Sequence, residues 1–166
     1  MIFDDISDMR NAGFQGFCTI ESLMASSCSE VPIQSGVFLV VWPSDSIPDF
    51  LKQSAAGDFK GRNPSLPEET LHDRWVQGAK VVFVGRAGGE TQDETLQWRL
   101  RQYMRAGQGR AVGRLGESLI WQIRDCYQMQ VCWVTSGADN PADLEKSLLV
   151  LFEDTYGSLP FANLRT

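Results

Sequence analysis

An α+β fold, with a small and mainly antiparallel β-sheet flanked by helices and an extra helical segment at the N-terminus, follows from three features of the 166-residue sequence. Four short runs rich in β-branched and aromatic residues read as strands. Two longer stretches carry apolar residues at helical spacing. Their order, strand, insertion, strand, helix, two strands, helix, packs helices against one small sheet.

Residues 1–35 read as a helix, a turn at Gly13-Phe14-Gln15-Gly16, a second short helix and a loop, an N-terminal helical extension to the main domain at 36–166. The run Gly36-Val-Phe-Leu-Val-Val-Trp42, bounded by Gly and Pro43, predicts a largely buried strand. Residues 43–68 hold Pro, Ser, Gly and Lys without sustained periodicity and read as an insertion, with a helical turn at Asp49–Lys52 and a short helix at Leu71–Gln77. Lys80–Gly85 predicts the second strand. Thr91–Gly107 predicts a helix with Leu96, Leu100, Tyr103 and Met104 on one face and Gly107 as its stop. Ser118–Ile123 and Gln130–Thr135 predict an antiparallel pair. A last helix starts at Asn140-Pro141, buries Leu144, Leu148, Leu151 and Phe152, and ends before Gly157.

Composition limits what such a domain does. At 43% hydrophobic residues, with nine Phe and five Trp, there is apolar surface for one core, and no apolar run approaches the ~18 to 20 residues of a membrane span. With no basic, greasy leader at the N-terminus, the expected location is the cytoplasm. Cys18, Cys28, Cys126 and Cys132 match no paired C-x-x-C arrangement and the single histidine is His72, so a structural zinc site is not expected and the cysteines read as free thiols. A net charge of −6 argues against nonspecific coating of nucleic acid. The charge is unevenly spread: five arginines and no acid lie between Leu96 and Gly116, whereas residues 1–35 hold five acids and one base. A polyanion would meet the arginine stretch.

Five motifs recur in a telling order: Gly36-Val37-Phe38, Phe83-Val84-Gly85, Leu96-Gln-Trp-Arg99-Leu-Arg101-Gln-Tyr103, Leu144-Glu145-Lys-Ser-Leu148-Leu149 and Leu159-Pro-Phe-Ala-Asn163. Together, over about residues 36–163, they resemble the GIY-YIG nuclease superfamily, which includes a nucleotide-excision-repair nuclease and some homing and restriction enzymes. Trp75-Val-Gln-Gly-Ala-Lys-Val, Ile120-Trp-Gln-Ile and Tyr156-Gly-Ser-Leu-Pro-Phe-Ala-Asn-Leu also look like a bacterial branch of small single-domain members. The resemblance implies a GIY-YIG-like domain over 36–166 that hydrolyses DNA phosphodiesters with one divalent metal, Mg²⁺ or Mn²⁺. It implies that Arg99 contacts the scissile phosphate, that Tyr103 lies one helical turn along the same face, that Glu145 holds the metal and that Asn163 orients the site. Arg86, Arg101, Arg105, Arg110 and Arg114 would then bind nucleic acid.

The chain departs from that pattern where it matters most. Phe38 and Phe83 stand where the family has the tyrosines that position or activate the attacking water, and phenylalanine has no hydroxyl. Arg114-Leu115 stands where a His-Trp pair is expected in this branch. Each motif also has a plainer reading. Phe38, Phe83 and Tyr103 suit a core, the arginine row suits a solvated helix face, Glu145 suits a first-turn acid, and Asn163 suits a turn. Gly85-Arg-Ala-Gly88-Gly89 has the spacing of neither a dinucleotide nor a P-loop motif. Two functions follow: a metal-dependent DNA-cleaving enzyme, weakened or with its activity lost, or a catalytically inactive module binding nucleic acid or a protein. A regulatory protein whose partner meets the acidic N-terminal segment is a third reading.

Overall fold

The computed structural model describes residues 2–89, 94–110 and 115–164. Its centre is a four-stranded antiparallel sheet in the order β1 (Gln15–Thr19), β4 (Gln130–Thr135), β2 (Gly36–Val41), β3 (Val81–Ala87), with helices on both faces. This is the α+β architecture expected. Strand β2 lies between two partners and all six of its residues are buried, which its unbroken Val-Phe-Leu-Val-Val run suits.

Alternation along the strands divides the core in two. On one face Phe38, Val40, Val131 and Trp133 pack with Leu96, Leu100, Tyr103 and Met104 of α4 (Leu96–Gly107). On the other, Leu39, Val41, Val84 and Cys132 pack with Phe3, Met9, Phe14 and Phe152, the last from α5 (Pro141–Tyr156). A register shift between Val40 and Val41 gives β3 an extra residue, so Val82 and Phe83, although adjacent, both enter the α4-side core.

Two glycines in β2 and β3 are set by space. A side chain at Gly85 would strike the rings of Phe38 and Phe83, and one at Gly36 would strike the Val134 carbonyl and Leu96. Phe38 sits directly across from Gly85 in the ladder, so the ring lies over the glycine.

The N-terminal segment contains the two expected helices, α1 (Ile6–Asn11) and α2 (Ile20–Ser26), and also carries β1, which the sequence pattern missed. That strand is five residues long, interrupted by a register shift between Gly16 and Cys18, and holds Phe17 at φ 56°, so no regular alternation marks it. Asp49–Lys52 forms no helical turn, and Phe50 bridges to Ile123. Helix α3 spans Glu68–Arg74, starting directly after Pro67 and earlier than expected.

The largest correction concerns Ser118–Ile123, expected to be a strand paired with 130–135. Ser118–Gln122 lies in a 3₁₀ helix, Leu115–Gln122, Ile123 bridges to Phe50, and β4 pairs with β1 and β2 instead. The buried residues run consecutively from Ser118 to Ile123, and such an apolar run does not distinguish strand from buried helix. Helix α4 is capped by Thr95, whose side chain accepts from Trp98 N; the expected start at Thr91 lies outside the described residues. Gly107 ends it, but a side chain there would strike the ring of Trp121, so close packing is what demands this glycine. Helix α5 is capped by Asn140, has Pro141 in its first turn and is followed by Gly157 at φ 79°, as expected, although Leu151 is exposed.

Candidate functional site

Antiparallel pairing of β2 with β3 puts Phe38 and Phe83 on the face covered by α4, and the helical repeat delivers Tyr103 to the same place. The three rings form a closed cluster: Phe38 and Phe83 have centroids 5.9 Å apart, Phe38 meets Tyr103 edge-on at 5.9 Å, and Phe83 stacks on Tyr103 at 5.6 Å. Trp121 closes the far side, 5.6 Å from Tyr103. Phe38, Tyr103 and Trp121 are fully buried and Phe83 nearly so.

This environment decides what Tyr103 can do. Its hydroxyl has no hydrogen-bond partner among the described residues. Burial pushes its phenol well above the ordinary range, outweighing the downward pull of the nearby Arg99 charge. The group stays protonated and lies away from solvent. Tyr103 is a core residue, as its place on the Leu96, Leu100 and Met104 face requires.

The arginines of α4 separate into two kinds. Arg99 is buried on the Tyr103 side, with its Nε 3.8 Å from a Glu94 carboxylate oxygen. Arg101 and Arg105 are exposed, as is Arg110 just beyond the helix. Arg101 Nε donates to the Ser27 carbonyl at the end of α2, 2.8 Å away, which holds the guanidinium near the helix surface. Arg114 lies outside the described residues. Arg86, counted from the sequence with the nucleic-acid contacts, sits 3.4 Å from Glu145 and is only 22% exposed.

Glu145 belongs to α5, on the face of the sheet opposite Phe38, Phe83 and Tyr103. The structure thus brings the two phenylalanines and Tyr103 together and seats Glu145 beside Arg86. Glu145 offers a divalent cation a single carboxylate, so a metal held there would draw its remaining ligands from water and a substrate phosphate. The carboxylate already faces a guanidinium, and among the described residues no three His, Cys, Asp or Glu side chains form a cation-holding group.

Asn163 is placed to hold a strand. Its Oδ1 accepts from Val84 N and its Nδ2 donates to Val84 O, both at 2.9 Å, while Ala162 N donates to Val82 O at 2.8 Å. The tail thereby pairs with the outer edge of β3. Arg74 fixes it from behind, donating to the carbonyls of Phe161 and Asn163 at 3.1 and 3.0 Å. Asn163 therefore orients the strand that carries Phe83 and Gly85.

Sequence reasoning passed over Trp98, which lies 49% exposed on the outer face of α4. Its spacing from Arg101 and Arg105, three and seven positions, was the available signal. Comparison of the chain with family models, with curated proteins and with solved structures finds no match. Among the described residues no helix is long and apolar enough to cross a membrane.

Proposed function

We propose that this chain is a GIY-YIG-like module that does not hydrolyse phosphodiesters and instead binds nucleic acid through the exposed arginines of α4. The observation that carries the non-enzymatic reading is the dry cluster of Phe38, Phe83 and Tyr103. At the two positions where the resemblance implies a tyrosine acting on water there are buried hydrocarbon rings, and the third aromatic is a protonated, solvent-excluded phenol. General-base assistance contributes about 10²- to 10⁴-fold to such a reaction, and nothing in this cluster supplies it. Glu145 is paired with Arg86, so no step is assigned to a metal. Kinship with the superfamily is supported by the ordered motifs and by the close packing of Phe38 over Gly85.

Binding in place of chemistry is supported by Arg101, Arg105 and Arg110, which stand exposed in a stretch without acids. The test is a titration with labelled DNA over a range of salt. Arg101→Ala with Arg105→Ala should weaken binding strongly and flatten the salt dependence by roughly 1.5 to 2 in log–log slope, while Glu145→Ala should bind like the wild type. Loss of binding in Glu145→Ala with none in the arginine variant would contradict the proposal.

A further inference from the structure

We propose that the outer face of α4 is a stacking platform for single-stranded nucleic acid, with Trp98 as the base-stacking residue and Arg101 and Arg105 as the phosphate contacts. This rests on the reading of the chain as a nucleic-acid-binding module and names the form of nucleic acid it takes.

A tryptophan buries more apolar area than any other side chain, so leaving one half-exposed on a helix forgoes a large hydrophobic gain. The buried stripe of α4 runs through Leu96, Leu100, Tyr103 and Met104, and Trp98 points off it. Seven residues bring Arg105 within about 20° of the same line along the helix, roughly 10 Å away, and Arg101 falls between them. Arg110 is also exposed, just past the helix end. The exposed face is therefore a narrow strip with an aromatic ring at one end and guanidinium groups along it.

The start of the helix has the same bias. In a Thr-x-x-Glu capping arrangement the third helical position carries an acid that suits the positive helix end. Thr95 caps α4, but Trp98 occupies that position, and the first turn contains no acid. The first backbone amides are already used: Leu96 N and Gln97 N donate to the carbonyls of Gln34 and Pro32, and Trp98 N to Thr95 Oγ1. Recognition therefore falls to the side chains.

The width of the strip selects a single strand. Bases stacked inside a duplex offer no face to Trp98, whereas an unpaired base does. On a chain of net charge −6, one row of arginines can follow one string of phosphates. Arg101, held by its bond to the Ser27 carbonyl, gives up little side-chain freedom on binding.

The experiment measures fluorescence polarisation with a labelled oligothymidylate of about 12 nucleotides, the same strand annealed to oligoadenylate, and inorganic polyphosphate as competitor. The expected result is at least tenfold tighter binding of the single strand than of the duplex. Trp98→Ala should weaken single-strand binding about tenfold without changing its salt slope, while Trp98→Phe retains most of the affinity. Polyphosphate, having no bases, should compete equally well against both variants. Thermal melts of both confirm folding. Equal affinity for single strand and duplex, or a Trp98→Ala variant binding like wild type, overturns this inference. If that binding still depends on Arg101 and Arg105, the binding-module reading survives; if neither oligonucleotide binds, both fall.

Discussion

Phe38→Ala should destabilise the protein by about 3–5 kcal/mol, the usual cost of removing a fully buried aromatic ring. The loss is placed in this range because the ring is locked between the sheet and other aromatic rings. It is fully buried on the central strand, lies over Gly85 and touches Phe83 and Tyr103. The hole would also open beside Tyr103, whose hydroxyl has no partner among the described residues. Urea unfolding measures the change directly, and the thermal midpoint should fall by roughly 10 °C. A loss below about 1 kcal/mol would mean that the cluster is looser than the packing indicates.

Gln122→Ala should cost about 2–4 kcal/mol for a different reason, the loss of hydrogen bonds to buried backbone. The Gln122 side chain accepts from Leu66 N at 2.9 Å and donates to the carbonyls of Leu51 and Leu66 at 2.8 and 2.6 Å. Backbone bonds from Leu51 and Ala55 to the carbonyls of Gln122 and Trp121 run alongside. One buried amide thus ties the long segment between β2 and α3 to the 3₁₀ helix. In the variant, hydrogen exchange should lose protection at Leu66 while Val40 and Val131 stay protected, because the sheet does not use this side chain. Unchanged exchange at Leu66 would show that the segment is held by other contacts.

The parts of this fold that can be read from sequence are those whose local pattern agrees with their final surroundings. Gly36–Val41 and Gln130–Thr135 are β-branched runs that became central strands, and Asn140-Pro141 with Gly157 bracket α5 by capping chemistry alone. Where tertiary packing overrides pattern, the reading failed. Ser118–Ile123 is apolar enough for a strand but Ser118–Gln122 is wound into a 3₁₀ helix against α4, and Gln15–Thr19 looks like a loop but is recruited by the open edge of β4. Leu151 shares the helical spacing of a buried residue yet falls on the solvent side of Phe152.

The candidate site shows the same division. That Tyr103 shares a face with Leu96, Leu100 and Met104 followed from helix periodicity, and its link to Phe38 and Phe83 came only from the resemblance. That Tyr103 is sealed off, that Arg99 turns inward while Arg101 and Arg105 turn out, and that Asn163 pairs with Val84 are consequences of packing between distant segments. No local spacing encodes them.

Whether the chain cuts DNA decides between an enzyme and a binding module. Supercoiled, linear and branched DNA incubated with Mg²⁺ or Mn²⁺ and either the wild type or Glu145→Ala, purified in parallel, should remain intact in both, because the Phe38–Phe83–Tyr103 cluster supplies no base and Glu145 faces Arg86. Nicking by the wild type that disappears in Glu145→Ala would contradict the binding-module reading and restore the chain to the nucleases.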